Sequence, residues 1–231
     1  NDQVFRGMAG LIVVKGGDTD MKSLDKYQER QLALSLVQYN PGGDSLINPN
    51  DQNDPTAQTI VNGRSNQTIK MKPGAVERWR IANVSNEGFM KLQLQGHKVW
   101  LVGQDGNPMA QPHRVSTFTL APGGRMEVLV KADKKGKFKL RQVPYFDGFN
   151  QFQPQDLLTL DVSGSKTKAA PLPKKLRKFE DLSKAKVGTR RTWKLSFSPD
   201  NAPTFTAMIN GKTFSPDRID TRAKIGEVEA S

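Results

Sequence analysis

Short apolar runs, most of them alternating with period two and ended by Gly, Pro, Asn or Asp, limit the folds open to this 231-residue chain more than any other feature. Arg30–Gln38 sets Leu32, Leu34 and Leu36 on one side, Gln67–Lys72 sets Ile69 and Met71, and Glu77–Ala82 sets Trp79 and Ile81. That spacing describes a strand with one buried face, because successive side chains point to opposite faces of a sheet. Met90–Gln95, Lys98–Val102, Val115–Leu120, Met126–Val130, Lys137–Arg141 and Leu157–Val162 continue the series, and Ala9–Val14 reads as a compact strand near the start. The interruptions, among them Pro41-Gly-Gly-Asp44, Pro73-Gly74, Asp105-Gly-Asn-Pro108 and Pro122-Gly-Gly124, carry the chemistry of tight turns. Many short strands without a sustained helical period predict an all-β sandwich or barrel. A helix is expected only near Lys174–Lys186, and the Asn-, Asp- and Pro-rich stretch 45–57 reads as a surface excursion.

The sequence also echoes itself. Ile60-Val-Asn-Gly-Arg64 followed by Lys72-Pro-Gly-Ala-Val-Glu-Arg78 has a counterpart in Met208-Ile-Asn-Gly-Lys212 followed by Lys224-Ile-Gly-Glu-Val-Glu229. Both read as strand, Asn-Gly turn, strand, Gly and then Glu, with the Asn-Gly pair supplying the positive φ of a tight hairpin. The second copy is expected to be the opening of a further β domain, and Val4–Val14 the closing strand of an earlier one.

Cysteine is absent, which removes disulfides, zinc–thiolate sites and thiol nucleophiles from this chain. With two histidines, His97 and His113, a site of clustered imidazoles is excluded as well. No apolar run approaches the roughly 18 residues that span a bilayer as a helix. The net charge of +12 is unevenly spread: Lys166–Arg191 holds ten Lys and Arg against Glu180 and Asp181. This Pro- and Lys-rich stretch reads first as a solvated linker. A phosphate-binding patch is the sharper reading, but aromatics for base stacking and a recognition helix are both missing, and a basic face toward an anionic surface is the third.

The remaining candidates each have an ordinary explanation. His97 lies in a Gly-His-Lys turn and His113 follows Pro112 in a loop, so both read as structural or surface residues. Asp105-Gly106 suits a turn between strands better than a catalytic carboxylate. Glu77 and Arg78 read as charges at a strand edge, and Arg125 as either a domain anchor or a solvated side chain. Asn66-Gln-Thr68 and Asn83-Val-Ser85 match the glycosylation acceptor pattern, which matters only in a eukaryotic secretory setting. No Gly-rich phosphate loop, Ser-His-Asp set or HExxH motif is present.

Taken in order, these residues resemble the laccase-like multicopper oxidases. Gln3–Val14 is similar to the end of that family's first cupredoxin domain. Val61-Asn-Gly63, Pro73-Gly74, Glu77–Asn83, Leu94-Gln-Gly-His-Lys98, Gln104-Asp-Gly-Asn-Pro108 and Leu120–Val130 resemble the second, and Ile209–Phe214 with Ile225–Glu229 the start of the third. The resemblance implies a cupredoxin-like Greek-key β-sandwich, divided as 1–14, 15–165, a basic linker 166–203, and 204–231. It also implies a parent protein that takes electrons singly from a reducing substrate at a mononuclear copper and passes them to a three-copper cluster that reduces dioxygen to water.

In that family the copper ligands come from the first and last domains, which would be this segment's partners. The resemblance therefore assigns no catalytic, cofactor-binding or metal-ligating residue to this stretch. The isolated chain is expected to be inactive and to hold no copper, and the parent to be periplasmic or extracellular. A copper-free relative that keeps the scaffold for binding or assembly is a second reading, and a basic β module that binds polyanions a third.

Overall fold

The computed structural model describes residues 2–16, 21–40, 42–43, 46–47, 57–148, 150–178, 182–198, 204 and 206–230. Most of the predicted excursion at 45–57 lies outside them. The chain divides into two compact units, Asn1–Lys178 and Phe179–Ser231.

The strands of the first unit are β1 (Gln28–Tyr39), β2 (Leu46–Ile47), β3 (Gln58–Val61), β4 (Gln67–Met71), β5 (Val76–Asn83), β6 (Met90–Leu94), β7 (Val99–Gln104), β8 (Asn107–Val115), β9 (Phe118–Leu120), β10 (Arg125–Lys131), β11 (Gly136–Gln142), β12 (Tyr145–Phe146), β13 (Gln151–Phe152) and β14 (Gln155–Val162). One seven-stranded sheet runs β2-β1-β5-β10-β7-β8, with β3 also paired to β1. A second, five-stranded sheet runs β4-β14-β11-β6-β9. Most neighbours are antiparallel, but β1 pairs with β5 and β4 with β14 in parallel.

The period-two pattern places the core. Leu32, Leu34, Trp79, Ile81 and Val128 face inward from the large sheet and meet Ile69, Leu92, Leu94, Leu140, Leu158 and Leu160 from the small one. Trp79 is 1% exposed and Leu34, Leu92 and Leu160 are fully buried. Burial of large apolar side chains, worth roughly 1.5–3 kcal/mol each, holds two twisted sheets face to face. The all-β sandwich predicted from the alternation is the observed fold.

Three local expectations differ. Ala9–Val14 makes no strand; a short helical turn, Asp2–Phe5, is followed by an extended segment in which Ile12 is 91% exposed. An apolar run becomes a strand only where a neighbouring chain completes its backbone ladder, and no ladder reaches it among the described residues. Where a helix is expected at Lys174–Lys186, the described residues hold one 3₁₀ turn, Leu182–Lys184, and residues 179–181 lie outside them.

The solvated linker is also corrected in part. Ala169, Ala170, Leu172 and Leu176 pack on Met21, Leu24, Tyr27, Val76, Val102 and Leu129, on the outer face of the large sheet. Thr167 N donates to Pro73 O at 2.9 Å and Leu176 N to Ala110 O at 2.9 Å, while Tyr27 Oη donates to Pro171 O at 2.5 Å. The strap passes so close to Gly74 that a Cβ there would lie 2.4 Å from Thr167 O, and Gly74 also has φ 86°. Small and aliphatic residues spaced between the prolines and lysines give the segment an apolar side, which the charge count had obscured.

In the second unit, β15 (Val187–Arg190) pairs in parallel with β18 (Val228–Ala230), and β16 (Leu195–Phe197) pairs antiparallel with β17 (Ala207–Ile209).

Candidate functional site

The sequence echo is an echo of geometry. Asn62 and Gly63 have φ 49° and 72°, and Asn210 and Gly211 have φ 51° and 75°, the positive pair that an Asn-Gly hairpin turn requires. Asn62 Oδ1 accepts from Ala33 N and Nδ2 donates to Gln31 O. Asn210 Oδ1 accepts from Lys194 N and Nδ2 donates to Thr192 O. Each side-chain amide stands in for a peptide group and prolongs the ladder past the turn.

The registers match as well. Leu34 faces Val61 as Leu195 faces Ile209, and Gln28 faces Glu77 as Thr189 faces Glu229. Arg30 donates Nε and Nη2 to the two oxygens of Glu77, at 2.5 and 2.9 Å, and Nη2 also to Lys70 O. Arg191 donates Nε and Nη2 to Glu229, both at 2.7 Å, and Nη2 also to Arg222 O. The second unit thus repeats the pairing of β1 with β3 and β5 that opens the first.

This repeat explains an apolar cavity in the second unit. A hollow of about 600 Å³ in the second unit is lined by Trp193, Leu195, Phe197, Ile209 and Phe214, apolar side chains that are largely exposed. Leu195 and Ile209 correspond to Leu34 and Val61, which the five-stranded sheet covers in the first unit. The hollow is the inner face of a sandwich sheet, not a ligand pocket with convergent polar groups.

Glu77 and Arg78 are not edge charges. They lie on β5, flanked by β1 and β10, and are 3% and 2% exposed. Besides Arg30, Glu77 accepts the Trp79 Nε1–H at 3.0 Å. Arg78 donates Nε to Glu127 Oε2 at 2.8 Å, and Arg80 donates Nη1 to Glu127 Oε1 at 2.8 Å. Arg80 Nε lies 2.9 Å from Glu29 Oε2. Opposite charges therefore face each other across three adjacent strands, which stabilises their pairing. Burial pushes the Glu29 carboxyl up, but hydrogen bonds from Arg80 and Gln31 and the charges of Arg80 and Arg78 outweigh it and hold it below the usual range. Alternation along one strand gave no hint of this ladder, because its partners are 47 to 51 residues away.

The other candidates are scattered. His97 is half-buried, its Nδ1 is 2.9 Å from Gln95 O, and its ring meets Phe138 edge-on with centroids 4.4 Å apart. His113 is exposed on β8 opposite Leu101. Asp105 and Gly106 form the β7–β8 turn with φ 50° and 83°, and Asp105 Oδ1 accepts from Arg125 N at 2.8 Å, so the carboxylate ties two loops together. Arg125 is half-exposed and returns Nη1 to Gly123 O. Asn83 is fully buried and donates to Gly88 O, whereas Asn66 is exposed in the turn before β4.

A blue-copper centre needs a thiolate with two imidazoles. The chain has no cysteine, His97 in the β6–β7 connection is engaged with Gln95 and Phe138, and His113 projects from β8, so these residues do not fit a copper centre. Among the described residues, no group of three or more His, Cys, Asp or Glu side chains converges on a point.

Two mixed sheets packed over an apolar core, followed by a repeat of the first strands, define a cupredoxin-like β-sandwich. The sequence matches the multicopper oxidase family over residues 18–160. The chain belongs to that family. It is 24% identical to the cell division protein FtsP of Actinobacillus succinogenes, over 98% of this chain and 50% of that protein. To the multicopper oxidase mco of Staphylococcus aureus it is 23% identical, over 98% of this chain and 45% of that one. The solved multicopper oxidase of Campylobacter jejuni, described as a metallo-oxidase, superposes with a TM-score of 0.70 at 25% identity, covering 89% of this chain and 47% of that one. The chain thus spans about half the length of the curated relatives it matches over most of its own.

Proposed function

We propose that this chain is the non-catalytic middle of a multicopper-oxidase-fold protein, a sandwich that spaces and orients a first and a third domain. Residues 1–14 then close the first domain, and the second unit, whose strands run from Val187 to Ala230 and so begin inside the stretch expected as a linker, opens the third. The observation that carries this reading is the repeat, in which the Arg191–Glu229 clamp and the Asn210 turn reproduce Arg30–Glu77 and Asn62 in the same register. A strand arrangement used twice is what a chain of successive cupredoxin-like domains would carry.

In this reading the parent couples one-electron oxidation of a reducing substrate to reduction of dioxygen to water. Its copper ligands and electron relay belong to the flanking domains, and its setting is periplasmic or extracellular. Among the described residues, no helix is long and apolar enough to cross a membrane.

A second reading is a copper-free scaffold. It is favoured by relatives named as cell division proteins that match 98% of the chain at 24–27% identity. One experiment separates the two. The full-length protein containing this chain is purified after copper loading, and its copper content, blue absorbance and oxidation of phenols and reduced metal ions are measured. Stoichiometric copper with oxygen consumption supports the oxidase; a folded protein that takes up no copper supports the scaffold. In either case the isolated chain should bind no stoichiometric copper, and blue absorbance from it would refute the assignment of a non-catalytic middle.

A further inference from the structure

Lysines far apart in sequence meet at one end of the first unit. Three loops close that end: 72–75 between β4 and β5, 132–135 between β10 and β11, and 163–168 after β14. Backbone hydrogen bonds stitch them together, from Gly74 N to Ala132 O at 2.7 Å, Ala132 N to Ala75 O at 2.9 Å, Ser163 N to Met71 O at 3.1 Å and Thr167 N to Pro73 O at 2.9 Å. Lys70, Lys72, Lys131, Lys135, Lys166 and Lys168 line two hollows there that share Thr167. Of the acids nearby, Asp133 is engaged by Lys131 at 2.7 Å and Glu77 by Arg30, while Asp161 lies opposite Lys70 on the neighbouring strand, so the lysines outnumber the acids there.

We infer that this lysine end docks on an anionic phospholipid surface. The inference does not depend on whether the parent protein carries copper. A lysine ammonium is a point charge on a flexible stem, suited to a diffuse negative layer rather than to one stereospecific partner. The three loops contain neither arginine nor an aromatic residue. They therefore lack the bidentate phosphate forks and stacking platforms of nucleic-acid binders. Because the loops are already tied to one another, gathering the charges costs little further ordering when a surface is met.

The whole chain is mixed with sedimenting vesicles of phosphatidylcholine, with and without phosphatidylglycerol. Binding is expected only to the anionic vesicles, and is expected to fall steeply as salt shortens the screening length. A K135E/K166E/K168E triple should weaken binding about tenfold or more. A K174E/K175E/K178E triple, with the same charge change on the far part of the strap, should bind within about twofold of the unaltered chain. The corresponding Lys→Gln triples serve if either charge-reversed chain fails to match the parent's circular dichroism and melting. Equal loss in both triples would reduce the effect to net charge and overturn the inference. So would equal binding to neutral vesicles, salt-insensitive binding, or tighter binding to duplex DNA at the same ionic strength.

Discussion

Arg30 grips both carboxylate oxygens of Glu77 across the parallel β1–β5 pair, and that carboxylate also takes the indole N–H of Trp79. The same grip recurs between Arg191 and Glu229, with no second sheet over it among the described residues. Side-chain exposure is 3% for Glu77 and 23% for Glu229. One geometry in two settings makes the cost of burial testable.

Glu77→Ala should strand the guanidinium of Arg30 and leave the Trp79 N–H without its acceptor inside the sandwich. Breaking a buried pair in this way costs about 3 kcal/mol. Urea unfolding of the first unit, followed by hydrogen exchange of the β5 amides, should show a loss of that size. Arg191→Ala should leave those amides unchanged, because its clamp lies in the other unit. An equal effect from both substitutions would contradict the assignment.

Acid should weaken the outer charge ladder through Glu29. Its folded-state pKa is depressed, so the unfolded chain binds more protons in the carboxylate range. The stability contributed by Glu29 is present above its unfolded value and is lost as pH falls through the folded one. Glu29→Gln should flatten that part of the stability profile between neutral and acidic pH. An unchanged acid slope would show that Glu29 is not the titrating group.

The strap depends on Tyr27. Burial raises the Tyr27 pKa, and its hydroxyl is the donor to Pro171 O. A raised folded-state value means that this docking is complete below the ordinary tyrosine pKa and is lost as pH rises through the folded one. Tyr27→Phe should cost about 1 kcal/mol of local stability. Tryptic cleavage at Lys168 and Lys174 should accelerate at neutral pH in the variant, and only at alkaline pH in the unaltered chain. Cleavage equally fast in both at neutral pH would show that the hydroxyl does not hold the strap.

The sandwich was legible because its signal is local. Leu32, Leu34, Trp79 and Ile81 sit two residues apart along their strands, and the alternation alone says which face is buried. The Asn62 and Asn210 turns were legible for the same reason, since positive φ in sequence favours Asn followed by Gly. Glu77 and Arg78 were misread as edge charges because strand order is not written in a strand. Nothing within Val76–Asn83 reveals that β1 and β10 flank it. Ala9–Val14 failed in the opposite direction, with strand composition but no ladder to join among the described residues.

The amino-acid sequence by itself determined the class of fold, the turns, the internal echo and the want of a thiolate for copper. These follow from periodicity, backbone preference and composition, which act over a few residues or over none. Tertiary structure decided which charges are buried, that residues 167–176 are a strap rather than a free linker, and that lysines from 70 to 168 form one end of the first unit. Each of those depends on which distant segments become neighbours. Hydrogen bonds and burial fix such neighbours only once both sheets are in place.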